Sequence, residues 1–434
     1  MDSIYLNNFR GIKNTIIPIC NVNFFLGENS TGKTSVLSAI ALLSSTDFWI
    51  NLNFNTSDYE FGGYKDIVSI SSKDKKEFHL GVYKCGDKYE KNACYILHFR
   101  EDKNGLPVLS RFSQLSAKHF VTLKISPKEI SFYGSKNVPD CVKCFDLEGC
   151  FEYLKKLPSN VKRGYKKISG DFRVALKHNP ILMFPTVLEN VFPEYKTNKN
   201  DDHYPFPVLT DRYLASLAPI RTKPKRTYDG FTQRYSAEGE HTPYVIRANI
   251  GKKGGSSFRS ALEFFGKESN LFSTISVAQF GKDSAAPFEL LINLSSSSPL
   301  RINSVGYGVS QALPVVVELL NRPDKTWFTV QQPEVHLHPR AQAALGDIFF
   351  QVASAQKKII FVETHSDYLI DRFRLNYRKN KVEDNFAQIL FFEREENGNN
   401  IIQIKIQSDG EYPENQPKEF RSFFLEEQRK ILGF

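Results

Sequence analysis

The segment Gly27-Glu28-Asn29-Ser30-Thr31-Gly32-Lys33-Thr34 constrains this chain more than any other. It fits G-x-x-x-x-G-K-[ST] at every fixed position, between a β-prone run (Asn21–Leu26) and an apolar stretch that reads as a buried helix (Thr34–Leu43). The glycines let the backbone curl so that successive N–H groups point at phosphate oxygens, and the helix start adds about half a positive charge. Lys33 is placed to bridge β- and γ-phosphates and the Thr34 hydroxyl to ligate Mg²⁺, with Ser35 next in the first turn. A strand, loop and helix in this order belong to an α/β domain that binds ATP or GTP.

Strand and helix alternate at both ends of the chain. Ser3–Phe9 reads as a strand, and Phe78–Phe132 as an antiparallel meander (Phe78–Tyr83, Ala93–Phe99, Phe120–Ile125, Glu129–Tyr133). Residues from about Pro139 to Pro299 read as irregular, with a short Phe151–Leu157 helix, a polar loop at Thr197–His203 and basic clusters at Lys162–Lys167 and Arg221–Arg226. Alternation returns after Arg301. Gly306-Tyr307-Gly308-Val309-Ser310-Gln311 places two glycines and a capping serine before a helix Gln311–Leu320, a second start suited to phosphate. Trp327–Val330 reads as a strand running into Gln331-Gln332-Pro333-Glu334-Val335-His336-Leu337-His338-Pro339. Ile359–Val362 is another, ending in Glu363-Thr364-His365-Ser366, and polar groups at such strand ends converge where open sheets bind ligands. A hairpin, Gln388–Phe392 with Ile401–Ile406 around Asn397-Gly398, and a helix near Glu419–Ile431 close the chain. The expected organisation is one α/β nucleotide-binding domain split by an insertion: 1–138 with the phosphate loop and a β lobe, 139–299 inserted, and 300–434 with the distal half of the site.

These motifs, with Asn8-Phe9-Arg10-Gly11 and Leu217-Ala218-Pro219-Ile220-Arg221, resemble ABC-type ATPases, nearest the RecF/SMC-like and OLD-like AAA-family ATPases of bacteria. The resemblance implies a mixed or parallel sheet flanked by helices, an antiparallel β lobe, and ATP with Mg²⁺ as cofactors. It also implies a homodimer or higher homo-oligomer formed through a nucleotide sandwich. There Gly306, Gly308, Ser310 and Gln311 would cap the γ-phosphate of ATP held by the other subunit's Lys33 loop, and His365 would be the switch histidine.

One departure bears on chemistry. ABC-type ATPases end the strand before this turn in two acids, one for Mg²⁺ and one to polarise the attacking water; the matching positions here are Gln331 and Gln332. An amide accepts hydrogen bonds but takes no proton and carries no charge. Losing a general base costs about 10²–10⁴-fold in rate. Glu334 is the acid left to compensate, so the expected site comprises Gln331 (metal), Gln332, Glu334 and His365, binding ATP strongly and hydrolysing it slowly or not at all.

Lys+Arg exceeds Asp+Glu by 57 − 48 = 9, a surplus suited to nucleic acid or an acidic partner, although charge runs usually form solvated faces. No apolar stretch approaches the ~20 residues of a membrane span, and no signal-like start is evident, so a cytoplasmic protein is expected. Cys141, Cys144 and Cys150 invite a zinc reading but lack a fourth ligand, and free thiols are the plainer one. OLD-family nucleases carry a Toprim domain after the ATPase, whereas 69 residues (434 − 365) follow His365 here. The expected function is therefore an ATP-gated scaffold of the kind found in Septu-type anti-phage systems, controlling a separate nuclease or toxin. The alternative is a RecF-like DNA-repair ATPase that hydrolyses ATP on DNA.

Overall fold

The computed structural model describes all residues except 57–58, 73–74, 87–91, 127–128, 144–145, 161–163, 169–180, 183, 194–207, 211, 232–233, 251–255, 284, 295–297, 381, 383–384, 397, 415, 417–419, 421–428 and 431–434. Cys144, the loop Thr197–His203, Asn397 and most of Glu419–Ile431 thus lie outside the described residues. The chain forms two units. One comprises Met1–Ile19, Asn29–Asp211 and Glu393–Ile401; the other Cys20–Glu28, Arg212–Phe392 and Ile402–Phe434. Residues 139–299 are divided between them.

The strands in chain order are β1 (Ser3–Asn7), β2 (Thr15–Pro18), β3 (Val22–Gly27), β4 (Phe78–Lys84), β5 (Ala93–Glu101), β6 (Pro107–Ser116), β7 (Phe120–Ile125), β8 (Ile130–Ser135), β9 (Lys166–Lys167), β10 (Leu214–Leu217), β11 (Thr274–Gln279), β12 (Phe288–Asn293), β13 (Leu300–Arg301), β14 (Trp327–Gln331), β15 (Ile359–Glu363), β16 (Ala387–Glu395) and β17 (Gly398–Lys405). Among the described residues no helix is long and apolar enough to cross a membrane.

The first unit is built on an antiparallel sheet in the order β2-β1-β4-β5-β6-β7-β8-β9. The expected meander is present, with β6 added. That strand hides from a hydropathy reading because its polar residues are buried: Arg111, Ser113 and Gln114. Two of them bond across the sheet, Ser113 with the Thr122 hydroxyl at 2.8 Å and Gln114 by donating to the Tyr95 hydroxyl at 3.1 Å. The helix Leu147–Asn160 is longer than expected and stacks Phe151 on Tyr5, ring centroids 4.6 Å apart. It lies so near the sheet that a Cβ at Gly81 would come within 2.8 Å of the Phe151 ring. The phosphate-loop helix, Lys33–Ser44, also belongs to this unit.

The second unit carries a six-stranded sheet, β10-β14-β15-β3-β16-β17, in which β10 to β14, β14 to β15, β15 to β3 and β3 to β16 pair in parallel. Phe24, Phe328, Val330, Ile360, Val362 and Ile389 pack one face against the helices Tyr307–Asn321, Pro339–Gln356 and Asp367–Asn380. The irregular reading of Pro139–Pro299 is corrected here. Those residues include helices at Thr242–Ile250 and Ser256–Ser269, the sheet β11-β12-β13 and, above all, β10. β10 is four residues long, too short for a period-2 pattern to register, and is specified by pairing with β14.

Candidate nucleotide site

The phosphate loop leaves β3 at Gly27, whose φ of +135° and packing both demand glycine: a Cβ there would stand 2.2 Å from the Phe392 carbonyl oxygen. Glu28, Asn29 and Ser30 are exposed, and Thr31 and Lys33 buried. Ser30 has φ +63°, and the Arg394 guanidinium donates to its carbonyl at 3.1 Å. Gly32, at φ +98°, is the N-cap of Lys33–Ser44 and supplies no side-chain cap. No acid occupies that helix's first turn, so its leading N–H groups, with exposed Thr34 and half-buried Ser35, suit an anion.

At the carboxyl edge of the second unit's sheet, β14 ends at Gln331. Gln332 then turns at φ +42°, its N–H bonded to the Glu363 carbonyl at 2.8 Å. Glu334 braces the next strand's exit: Oε2 accepts from the Thr364 hydroxyl at 2.8 Å and Oε1 from the His365 N–H at 2.7 Å. Ser366 donates to the Gln342 side chain at 2.6 Å and accepts from the Leu369 N–H at 3.1 Å, opening the helix Asp367–Asn380. His365 itself is exposed. His338 accepts from the Arg340 N–H and caps Pro339–Gln356, while the His336 ring meets Tyr307 at 5.0 Å.

The second glycine motif is placed differently from its expectation. The helix begins at Tyr307 with Gly306 as N-cap, so Ser310 lies inside the first turn, buried, donating to the Tyr307 carbonyl at 2.7 Å. Pro314 lies inside the helix and, lacking an N–H, offers the Ser310 carbonyl no i+4 partner. Gly308 sits where a Cβ would come 3.1 Å from the His336 carbonyl, and Gln311 is buried with its side-chain nitrogen unbonded.

Arg221 is the residue that motif reading left without a role. It is 2% exposed and donates to the Gln331 carbonyl at 3.0 Å, yet Nε and Nη1 have no protein partner. Burial pushes its guanidinium down to about 10, with Glu334 nearby opposing that shift. It lies just beyond β10, the strand that pairs with β14, and no spacing along the sequence marks that position. Of the cluster Arg221–Arg226, Arg221 is thus buried, whereas Lys223, Lys225 and Arg226 are exposed. Farther along, Arg372 pairs with Asp347 at 2.9 Å and Arg374 with Asp371 and Glu411 at 3.0 and 2.9 Å.

Two clusters lie in the first unit. The Cys150 and Cys141 sulfurs are 3.8 Å apart, and Cys94 is hydrogen-bonded to Cys150, a third thiol unrelated to the sequence spacing. Glu77, His79 and His98 place ligand-type atoms within 4.8 Å of one another. Protein groups surround them in a hydrogen-bonding network. Asn7 Oδ1 accepts from the Asn14 N–H at 3.0 Å, so its Nδ2 donates to His79 Nδ1 at 2.9 Å. The other ring nitrogen then holds the proton and faces Glu77 at 3.4 Å. Arg111 lies against the His98 ring at 2.6 Å. Burial pushes both imidazoles down, and their hydrogen bonds hold the Glu77 carboxyl far below the usual range.

No curated protein matches the chain by sequence. In fold it is similar to an Smc head bound to the C-terminal winged-helix domain of ScpA (10% identity, 93% of this chain and 98% of that one, TM-score 0.46). It is also similar to the SMC head domain from Thermotoga maritima (10%, 92% and 97%, TM-score 0.36) and to an Smc head with an extended coiled coil, bound to the C-terminal domain of ScpA, from Pyrococcus furiosus (12%, 99% and 100%, TM-score 0.37). Likeness at this level speaks to neither activity nor partner. A family model described as the AAA ATPase domain matches residues 1–205 and 218–370, most of the chain and the phosphate loop and strand ends with it, so the chain belongs to the AAA ATPase domain family.

Proposed function

We propose that this protein is an ATP-binding regulatory subunit whose nucleotide-dependent self-association controls a separate effector, a nuclease or toxin, as in bacterial anti-phage defence. Family membership implies ATP and Mg²⁺. The observation that carries the regulatory reading is a complete phosphate loop in a chain with amides at both acid positions, Gln331 and Gln332, and with the turn acid, Glu334, already accepting from Thr364 and His365. A carboxylate whose oxygens are both engaged is poorly free to take a proton from water. It is well placed instead to transmit the position of His365 to the β14 turn. Nucleotide can then act as a clamp, shifting an association equilibrium by its differential affinity for two states without being hydrolysed. Arg221, with two unpartnered nitrogens at the same sheet edge, is a cation of the second unit suited to a phosphate.

The test is light scattering of the purified chain with ATP, ADP and no nucleotide, alongside turnover with and without DNA. ATP-dependent association lost in Lys33→Ala, with turnover far below one per second, is expected. Steady turnover at tens per second, stimulated by DNA and abolished by Lys33→Ala, would overturn the clamp and favour the DNA-repair reading. A phage-challenge assay on cells carrying the gene with its genomic neighbours tests the defence role; indifference to Lys33→Ala would count against it.

A further inference from the structure

Two amides at the end of β14 leave a nucleotide-bound cation without the carboxylate that such sites supply, and the sheet offers one on the adjacent strand. β14 and β15 run parallel with Gln331 opposite Glu363, and β15 pairs with β3 so that Glu363 is opposite Phe25. Residues opposite one another in neighbouring strands project from the same face, and faces alternate along each strand. Trp327, Gln331, Phe361, Glu363, Phe25 and Gly27 therefore share one face. Ring contacts agree: Phe361 meets Trp327 at 5.7 Å and Phe25 at 6.4 Å. The intervening residues Phe24, Phe328, Val330 and Val362 face the other way, into the helices, Phe24 meeting Phe373 at 5.1 Å. Glu363 thus stands beside Gln331, on the last position of its strand, and next to the strand from which the phosphate loop departs two residues later. It is 6% exposed.

We propose that Glu363 carries the negative charge that Gln331 lacks and ligates the Mg²⁺ that accompanies the nucleotide, directly or through one water. The proposal rests on the reading of the phosphate loop as an ATP site. The donors on the sheet fit the ion: the Glu363 carboxylate and the Gln331 amide carbonyl are hard oxygens, and Mg²⁺ takes one or two carboxylates with phosphate oxygens and water making up the rest. The acid has moved one strand across the sheet, and the charge at the edge is retained.

The experiment is equilibrium binding of a fluorescent ATP analogue to the full chain, in Mg²⁺ and in EDTA, for the unsubstituted chain, Glu363→Gln, and Glu363→Gln combined with Gln331→Asp. The unsubstituted chain should bind more tightly in Mg²⁺. Glu363→Gln should lose about ten- to a hundredfold of that enhancement while binding normally in EDTA, which shows that it is folded. The double variant, with the carboxylate returned to β14, should recover it. Full Mg²⁺ enhancement in Glu363→Gln, or no recovery in the double variant, would overturn the proposal. Failure of the unsubstituted chain to bind in either condition would overturn the ATP reading, and this assignment with it.

Discussion

Arg221 separates a functional guanidinium from a structural one, because its energetics point opposite ways in the two cases. Burial that pushes the group down to about 10 corresponds to roughly 3 kcal/mol against the charged form. Its bond to the Gln331 carbonyl, at 3.0 Å, returns about 1.5–3 kcal/mol. Nε and Nη1 return nothing within the protein. Arg221→Met keeps the apolar stem and removes the charge, so the fold should be as stable as before or more so by about 1 kcal/mol, as when buried ions are replaced by apolar residues. Nucleotide affinity should fall at least tenfold, since a charge-assisted contact of about 1.5 kcal/mol is worth that factor. Unfolding can be followed in urea by tryptophan fluorescence in a Trp49→Phe background, which leaves Trp327 at the start of β14 as the reporter for the second unit. Arg221→Lys, which restores charge without the fork, should recover part of the affinity. If Arg221→Met lost more than about 2 kcal/mol of stability while binding ATP normally, the guanidinium would be a strut and its place in the site would be refuted.

Other perturbations act on separate parts of the molecule. Gly32→Ala forces a side chain into φ +98° at the head of the phosphate-loop helix and should cost about 1–2 kcal/mol in thermal unfolding, together with most ATP binding. Glu318 is buried and accepts from His241 at 2.8 Å and Arg322 at 2.6 Å, so Glu318→Ala, which orphans both, should destabilise the second unit by about 3–5 kcal/mol in the urea assay. For His79 and His98, folding lowers proton affinity, so the unfolded chain binds more protons below about pH 6.5; stability should fall as pH drops through that value and, because Glu77 is also held low, fall again below about 4.5. His98→Phe should flatten the first limb of a pH–denaturation curve, and an unchanged curve would remove the histidines as its cause.

What was legible in the sequence and what was not divide along a physical line. Gly27, Gly32 and Lys33 announce themselves because the chemistry of cradling a phosphate is local: it needs consecutive N–H groups, a backbone at positive φ and a helix start, all within one loop. The strands β14 and β15 were legible because each is a run of aromatic and β-branched residues. β6 and β10 were not, the first because it buries polar side chains that bond to neighbouring strands, the second because four residues take their conformation from a partner more than a hundred residues away. The same limit governs the site. Gln331 and Gln332 look like an acidic pair undone when the strand is read alone. Sheet register makes Glu363 the lateral neighbour of Gln331 and brings Arg221 onto its carbonyl, and neither relation has a fixed spacing along the chain. A motif records which strand usually holds a charge, whereas the bound ion responds only to where that charge is. A loss at one strand end is therefore evidence about catalysis only after the neighbouring ends have been read.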